Sequence, residues 1–275
     1  MHTINCHGTL IDFSVPKVMG IINVTPDSFY DGGKSFTEDE ILKQAEQMQA
    51  EDATFLDIGG YSTRPGADEI SESDEIKRVV KAIKIILKNL PNALLSVDTF
   101  RSAVAIKAVE AGAAIVNDVS GGTLDAKMYK TVAKLKVPYI LMHMRGTPKT
   151  MAQRTDYNNV TLEVLKHLSE KIARARAEGI HDIIADPGFG FAKTRQQSFQ
   201  VLNNLELFQN LGIPVLAGIS RKSMIYKTLE TNVENALNGT TVLNTVALLK
   251  GASILRVHDV KEAVECVKLF QNLKS

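Results

Sequence analysis

The sequence predicts an α/β protein, a single (β/α)8 or TIM barrel with a short N-terminal extension. Three observations carry that reading: eight short apolar runs recur along the chain, helical segments separate them, and every run carries a polar residue at or near its C-terminal end. The length of 275 residues agrees, because single α/β barrels commonly run about 250 residues. A doubly wound open sheet is the alternative, since the pattern alone does not prove closure.

Residues 1–17 fall outside the repeat and are expected to form a small hairpin ahead of the barrel, which takes residues 18–275 as one domain. The runs are VMGIIN (18–23), TFLDIG (54–59), ALLSVD (93–98), AAIVND (113–118), PYILMH (138–143), DIIADP (182–187), PVLAGIS (214–220) and SILRVH (253–258). Each is short, rich in β-branched or bulky apolar residues and flanked by turn signals, which predicts a buried parallel strand. Helices are expected over 38–51, 73–89, 102–111, 125–135, 160–178, 198–210, 233–250 and 260–273. In SAVAIKAVE (102–110) apolar residues recur at helical spacing, and Gly112 supplies the stop.

Composition narrows the function. With 32 basic and 31 acidic residues there is no strong global field, which argues against nucleic-acid binding. Cys6 and Cys266 lie far apart and match no metal or redox spacing, so a reduced, cytoplasmic setting is expected. The N-terminal stretch has no charged start followed by an apolar run, so no secretory signal is expected, and no segment reaches membrane-spanning length.

The strand ends carry Asn23, Asp57, Asp98, Asn117 with Asp118, His143, Asp186, Ser220, and Arg256 with His258. Any one of these is ordinarily a satisfied strand-end residue. All eight ends being polar is different, because converging carboxylates and amides would be desolvated with no gain in stability. In a barrel the C-terminal ends of the strands form one mouth, where active sites are built. Asp98, Asn117 and Asp186 supply acceptors and one amide, suited to a flat heterocycle rich in N–H donors. In GISRKSMI, Arg221 and Lys222 sit where a helix is expected to begin, with Ser220 as a candidate N-cap and Ser223 in the first turn. Free N–H groups, a hydroxyl and cations there suit a carboxylate or phosphate. Arg256 and His258 add positive character. DPGFGFAKT (186–194) lacks phosphate-loop spacing, so its glycines read as a tight strand-to-helix turn.

Two segments are too long and too polar for simple turns. GIINVTPDSFYDGG (20–33) follows the first strand, and DIGGYSTRPGADEIS (57–71) follows the second. Both would stand on the same side of the mouth, as lids that exclude water.

Together NVTPDSFYDGG, DIGGYSTRPGA, SVDT, NDVSGG, LMHMRGTP, DPGFGFAKT, GISRKSMI and LRVHDV resemble, in order, the dihydropteroate synthase family. The resemblance covers nearly the whole chain. It implies a pterin-binding TIM-barrel transferase of folate biosynthesis that joins 4-aminobenzoate to 7,8-dihydropterin-6-ylmethyl diphosphate with Mg2+ as cofactor. It also implies a homodimer and inhibition by sulfonamides. By the same resemblance, Asp98, Asn117, Asp186 and Lys222 hold the pterin, and Asn23, Thr63, Arg64, Arg256 and His258 hold the diphosphate. Asn23 also lies at the metal, and Phe29, Arg64, Phe191 and Ser223 surround the aminobenzoate. Asp31, Phe29 and Lys222 are the implied catalytic groups, with Phe29 walling off solvent and Asp31 facing positive charge. The sequence departs from the family at Tyr61, where Glu is usual.

Three other readings remain at this level. A methyltetrahydrofolate-dependent corrinoid methyltransferase would share the acidic pterin pocket but has no use for a diphosphate site. A noncatalytic pterin binder would not turn over. A sugar-phosphate barrel enzyme would explain Arg256 but not three acceptors for a pterin edge.

Overall fold

The computed structural model describes residues 2–25, 37–62 and 69–274. Its leading segment is the expected hairpin, β1 (Thr3–Cys6) paired antiparallel with β2 (Thr9–Asp12). Eight further strands follow: β3 (Lys17–Asn23), β4 (Phe55–Gly59), β5 (Leu95–Asp98), β6 (Ile115–Asp118), β7 (Tyr139–Met142), β8 (Ile183–Asp186), β9 (Leu216–Ala217) and β10 (Ile254–Val257). All pair parallel in the order β8-β7-β6-β5-β4-β3-β10-β9. The first and last of these meet at an isolated parallel bridge, Ala185 with Val215, and Ala185 N–H donates to the Pro214 carbonyl at 2.9 Å. That seam closes the sheet into a barrel, and the open-sheet alternative fails.

The helices are α1 (Glu38–Ala50), α2 (Glu72–Asn89), α3 (Ser102–Glu110), α4 (Met128–Leu135), α5 (Val160–Ala177), α6 (Arg195–Asn203), α7 (Ser223–Tyr226), α8 (Leu237–Leu249) and α9 (Val260–Lys274). Local chemistry sets several starts. Thr37 and Glu40 form a reciprocal capping box on α1, as Thr194 and Gln197 do on α6. Asn159 caps α5 by accepting from Leu162 N–H. The helix expected from residue 125 starts only at Met128, because the Asp125 carboxylate accepts from the N–H groups of Ser102 and Lys127. The span expected as 198–210 divides into α6 and a 3₁₀ turn over Leu205–Leu211. No helix among the described residues is long and apolar enough to cross a membrane.

One apolar layer lies between sheet and helices and includes Leu56, Ile58, Val97, Val116 and Leu255. A second lies inside the barrel, where Met19, Phe55, Ile115, Ile140, Ile184, Leu216 and Ile254 pack with Ile4, Cys6 and Ile11 of the hairpin. The hairpin therefore closes the N-terminal end of the barrel, and Asn5 N–H donates to Asp182 there at 3.1 Å. With that end filled by apolar side chains, polar groups in the barrel interior can face only the opposite mouth.

Candidate active site

Side chains along a strand alternate between its two faces. Since Leu56, Ile58, Val97, Val116, Leu255 and Val257 face the helices, the residues between them face the barrel axis. These are Asp57, Asp98, Asn117 and Arg256. Parallel register places Asn23, Gly59, Asp98 and Asn117 at one level across β3 to β6. A Cβ at Gly59 would lie 3.2 Å from Asn23 Oδ1, so the glycine keeps the space in front of that amide oxygen open.

Arg256 organises the floor of the mouth. Its Nε donates to Asp57 Oδ2 at 2.7 Å and its Nη2 donates to Asp98 Oδ2 at 2.8 Å. Asn117 Nδ2 donates to the same Asp57 oxygen at 2.8 Å. Asp57 Oδ1 is buried with no hydrogen-bond partner among the described residues, and so is Ser96 Oγ, on the residue that pairs with Asp57 in register. Burial pushes the Asp98 carboxyl up to about 7, against the pull of Arg256 and with help from the Asp57 charge. For Arg256, burial opposes the charge, but Asp57 and Asp98 outweigh it and hold its pKa above the usual value.

On the facing side, Asp186 Oδ1 accepts from Gly188 N–H at 2.7 Å. Burial raises its pKa, and the Lys222 charge works against that shift. Lys222 Nζ donates to the Phe189 carbonyl at 2.6 Å and stands 4.9 Å from the centre of the Phe191 ring. Burial lowers the Lys222 pKa to about 8, with Asp186 opposing. Gly218 leaves a gap between the two, since a Cβ there would have Asp186 Oδ2 and Lys222 Nζ each at 3.9 Å. Two acidic groups, an amide and a lysine of reduced basicity thus line one cleft above an ion-paired floor. Asp98, Asp186, Lys222 and Arg256 all have pKa values displaced by burial and by specific charges, as groups at functional sites often do.

Ser220 does not cap a helix. Its Oγ accepts from His258 N–H at 3.1 Å and lies 3.0 Å from His258 Nδ1, while the cap position of α7 is Lys222. Since α7 has only four residues, the anion site expected at Ser223 rests on a single turn. Arg221 is not a ligand cation either. It forms a two-point pair with Asp259 at 2.9 and 2.8 Å and donates to the carbonyls of Val233 and Glu234. It locks the loop after β9 to the residue following His258.

Two of the expected strand-end groups face away from the mouth. Asp118 accepts from Tyr139 Oη and from the N–H groups of Ser120 and Gly122, and His143 stacks on His167 of α5. Phe29, Asp31, Thr63 and Arg64 lie outside the described residues. Tyr61 has a clear environment: Arg101 lies 5.2 Å from its ring centre, and Phe100 meets it edge to face. Arg101 in turn pairs with buried Glu75 at 2.7 Å and donates to the Ile70 carbonyl. The tyrosine therefore belongs to a clamp joining the two ends of the second long loop.

The sequence places Asp57 at the mouth but does not show its pairing with Arg256, and it does not mark Lys193 at all. For Asp57 a signal of the inward face was available, because period two puts it on the same face as Phe55 and Gly59. Lys193 gave no such signal, because its partners are set by the fold of the loop after β8.

Barrel and site together place two acidic groups, an amide and a lysine at the C-terminal mouth of a closed parallel barrel. A profile of pterin-binding enzymes matches residues 19–258. The dihydropteroate synthase of Haemophilus influenzae is 42% identical over 95% of this chain and 95% of its own length. The Yersinia pestis dihydropteroate synthase, solved in complex with a sulfonamide drug, superimposes with a TM-score of 0.94 at 37% identity, covering 99% of this chain and 98% of that one. The Xanthomonas albilineans enzyme with 4-aminobenzoic acid gives 0.91 at 38% identity, with the same coverage of each chain. The chain belongs to the dihydropteroate synthase family of pterin-binding transferases.

Proposed function

We propose that the chain condenses 7,8-dihydropterin-6-ylmethyl diphosphate with 4-aminobenzoate, giving 7,8-dihydropteroate and diphosphate in folate synthesis. The observation that carries this is the convergence of Asp98, Asn117, Asp186 and Lys222 on one cleft, over a floor tied together by Arg256. The carboxylates and the Asn117 amide read the N–H edge of the pterin, and Lys222 donates to its carbonyl or ring-nitrogen side. In the reaction the aminobenzoate nitrogen forms a bond to the pterin methylene carbon. The C–O bond breaks, its electron pair leaves on diphosphate, and the amine loses one proton. A neutral aromatic amine is already nucleophilic, so no general base is required.

Asn23, His258, Thr63, Arg64 and the Arg256 N–H groups not engaged by Asp57 and Asp98 are the proposed diphosphate contacts. Phe191, Ser223, Phe29 and Arg64 are the proposed aminobenzoate contacts, with Asp31 facing the positive charge that develops on the methylene. The Asn23 amide oxygen, kept open by Gly59, fits Mg2+, which takes oxygen ligands and is ordinarily shared between few protein groups and substrate phosphates. Bound there, Mg2+ would neutralise the charge of the leaving diphosphate. We also propose a homodimer, because Val242 and Leu249 of α8 and Leu269 of α9 are exposed apolar residues suited to a second copy. A cytoplasmic setting fits the two free, buried cysteines.

Expression in a bacterium deleted for its own dihydropteroate synthase, on medium without folate end products, tests the activity in cells. Growth restored by the chain, and abolished again by a sulfonamide, is the expected result. No growth despite soluble protein would contradict it.

A further inference from the structure

Behind the cleft lies a lysine that the proposed reaction leaves unused. Lys193 is 7% exposed, and its Nζ donates to the carbonyls of Gly188 at 2.9 Å and Phe191 at 3.1 Å. Its third neighbour is His143 Nδ1 at 3.0 Å. Both carbonyls belong to the loop after β8, and that loop touches three groups of the site. Gly188 N–H holds Asp186 Oδ1, the Phe189 carbonyl holds Lys222 Nζ, and the Phe191 ring lies beside the same ammonium.

The loop is conformationally demanding. Gly188, Gly190 and Ala192 have φ of 69°, 79° and 47°, and this region is disfavoured for alanine. At Gly188 a Cβ would collide with the His143 carbonyl, so the loop is pressed against the end of β7. Tyr157 Oη adds one further hold, donating to the Ala192 carbonyl at 2.9 Å.

Hydrogen counting orders the array. Burial pushes the Lys193 pKa well below the usual lysine value; in the charged form, with three N–H donors, the side chain meets three acceptors when His143 Nδ1 carries a lone pair. His143 Nε2 then carries the hydrogen and donates to His167 Nδ1 at 3.2 Å. The two rings stack at 5.4 Å, which fixes the far end of the chain on α5. A lysine that merely filled space would not place all its donors on one strained loop and the strand end beneath it.

We propose that Lys193 is a positioning residue for the condensation. It holds the 187–192 loop so that Asp186, Lys222 and Phe191 keep one shared geometry, and it keeps His143 in the Nε2-protonated form. The inference rests on the reading that these groups bind pterin and aminobenzoate.

The test compares wild type with Lys193→Met, which keeps the length of the side chain and removes its donors. Because small misplacements of a reactive geometry cost up to about a hundredfold in rate, kcat should fall by between about tenfold and a hundredfold. The KM for 4-aminobenzoate should rise several-fold, while inorganic diphosphate with Mg2+ binds as in wild type. Nitrogen-15 spectra of wild type should report His143 with an unprotonated Nδ1, and the variant should lose that signature. Unchanged kcat and KM in folded Lys193→Met would overturn the proposal, as would a protonated His143 Nδ1 in wild type. An equal loss of diphosphate binding would also overturn it, since that marks general damage. If Lys193→Met does not fold, His143→Phe, which removes one of the three anchors, must raise the aminobenzoate KM. No change there overturns the proposal. Should wild type itself fail to condense the substrates, the functional reading fails, while the histidine spectrum still tests the Lys193 array.

Discussion

Arg256 and Asp57, 199 residues apart in sequence, meet at 2.7 Å across the floor of the barrel mouth. The same guanidinium holds Asp98, so one cation serves two carboxylates that would otherwise repel each other in a buried site. Removing it strands both. Arg256→Met should therefore cost about 3–5 kcal/mol of folding stability, the usual consequence of leaving buried charge uncompensated. Urea unfolding measures this, and a loss under about 1 kcal/mol would mean the carboxylates find other compensation.

The pterin assignment predicts a selective effect of conservative changes. Asp98→Asn or Asp186→Asn presents an N–H where the ligand presents another. Each should weaken a pterin analogue by about 1–3 kcal/mol, the cost of an unmatched buried hydrogen bond. Titration calorimetry reads this directly, and unchanged affinity in both variants would remove these residues from the pterin site.

pH should move binding and stability in opposite directions. Asp98 in the folded protein titrates at about 7 instead of the ordinary 3.8, chiefly because it is buried. The native state therefore holds a proton that the unfolded chain has lost between those two values, so stability gains as pH falls through 7 towards 4. If Asp98 is a pterin acceptor as proposed, binding uses its ionised carboxylate and should weaken over the same interval, by about tenfold per pH unit below 7 as the proton competes. Affinity measured from pH 5.5 to 8.5 should bend near 7 in wild type, apart from a second change near 8 where Lys222 loses its charge, and Asp98→Asn should lose only the bend near 7. A flat wild-type profile would contradict the acceptor role of Asp98.

Much of this was legible in the sequence, for identifiable reasons. Parallel strands buried on both faces read as short apolar runs, so all eight were found. The polar residue ending each run marked the mouth. Which of those residues point inward was harder, because a continuously apolar strand hides its period of two; Asp118 and His143 look like Asn117 and Asp186 but face the helices. Arg221 beside Lys222 read as a second ligand cation, since sequence cannot show that Asp259 lies against it. The contacts of Lys193 depend on a loop whose left-handed turns bring its own carbonyls back onto Nζ.

Metal removal should separate catalysis from pterin recognition. Protein stripped with EDTA should lose turnover yet bind a pterin analogue with little change, because Asn23 lies on β3, apart from Asp186 and Lys222. Mg2+ is ordinarily held by few protein groups together with substrate phosphates, and the proposal gives it Asn23 and the substrate diphosphate. Full turnover in excess EDTA would refute the Mg2+ requirement.

The most direct measurement mixes the purified chain with 7,8-dihydropterin-6-ylmethyl diphosphate, 4-aminobenzoate and Mg2+, then quantifies both products. Wild type should form 7,8-dihydropteroate and diphosphate in equal amounts, and Asp186→Asn should form far less of both. Pterin binding without either product, from folded protein with Mg2+ present, would contradict that expectation and leave a pterin binder in place of a synthase.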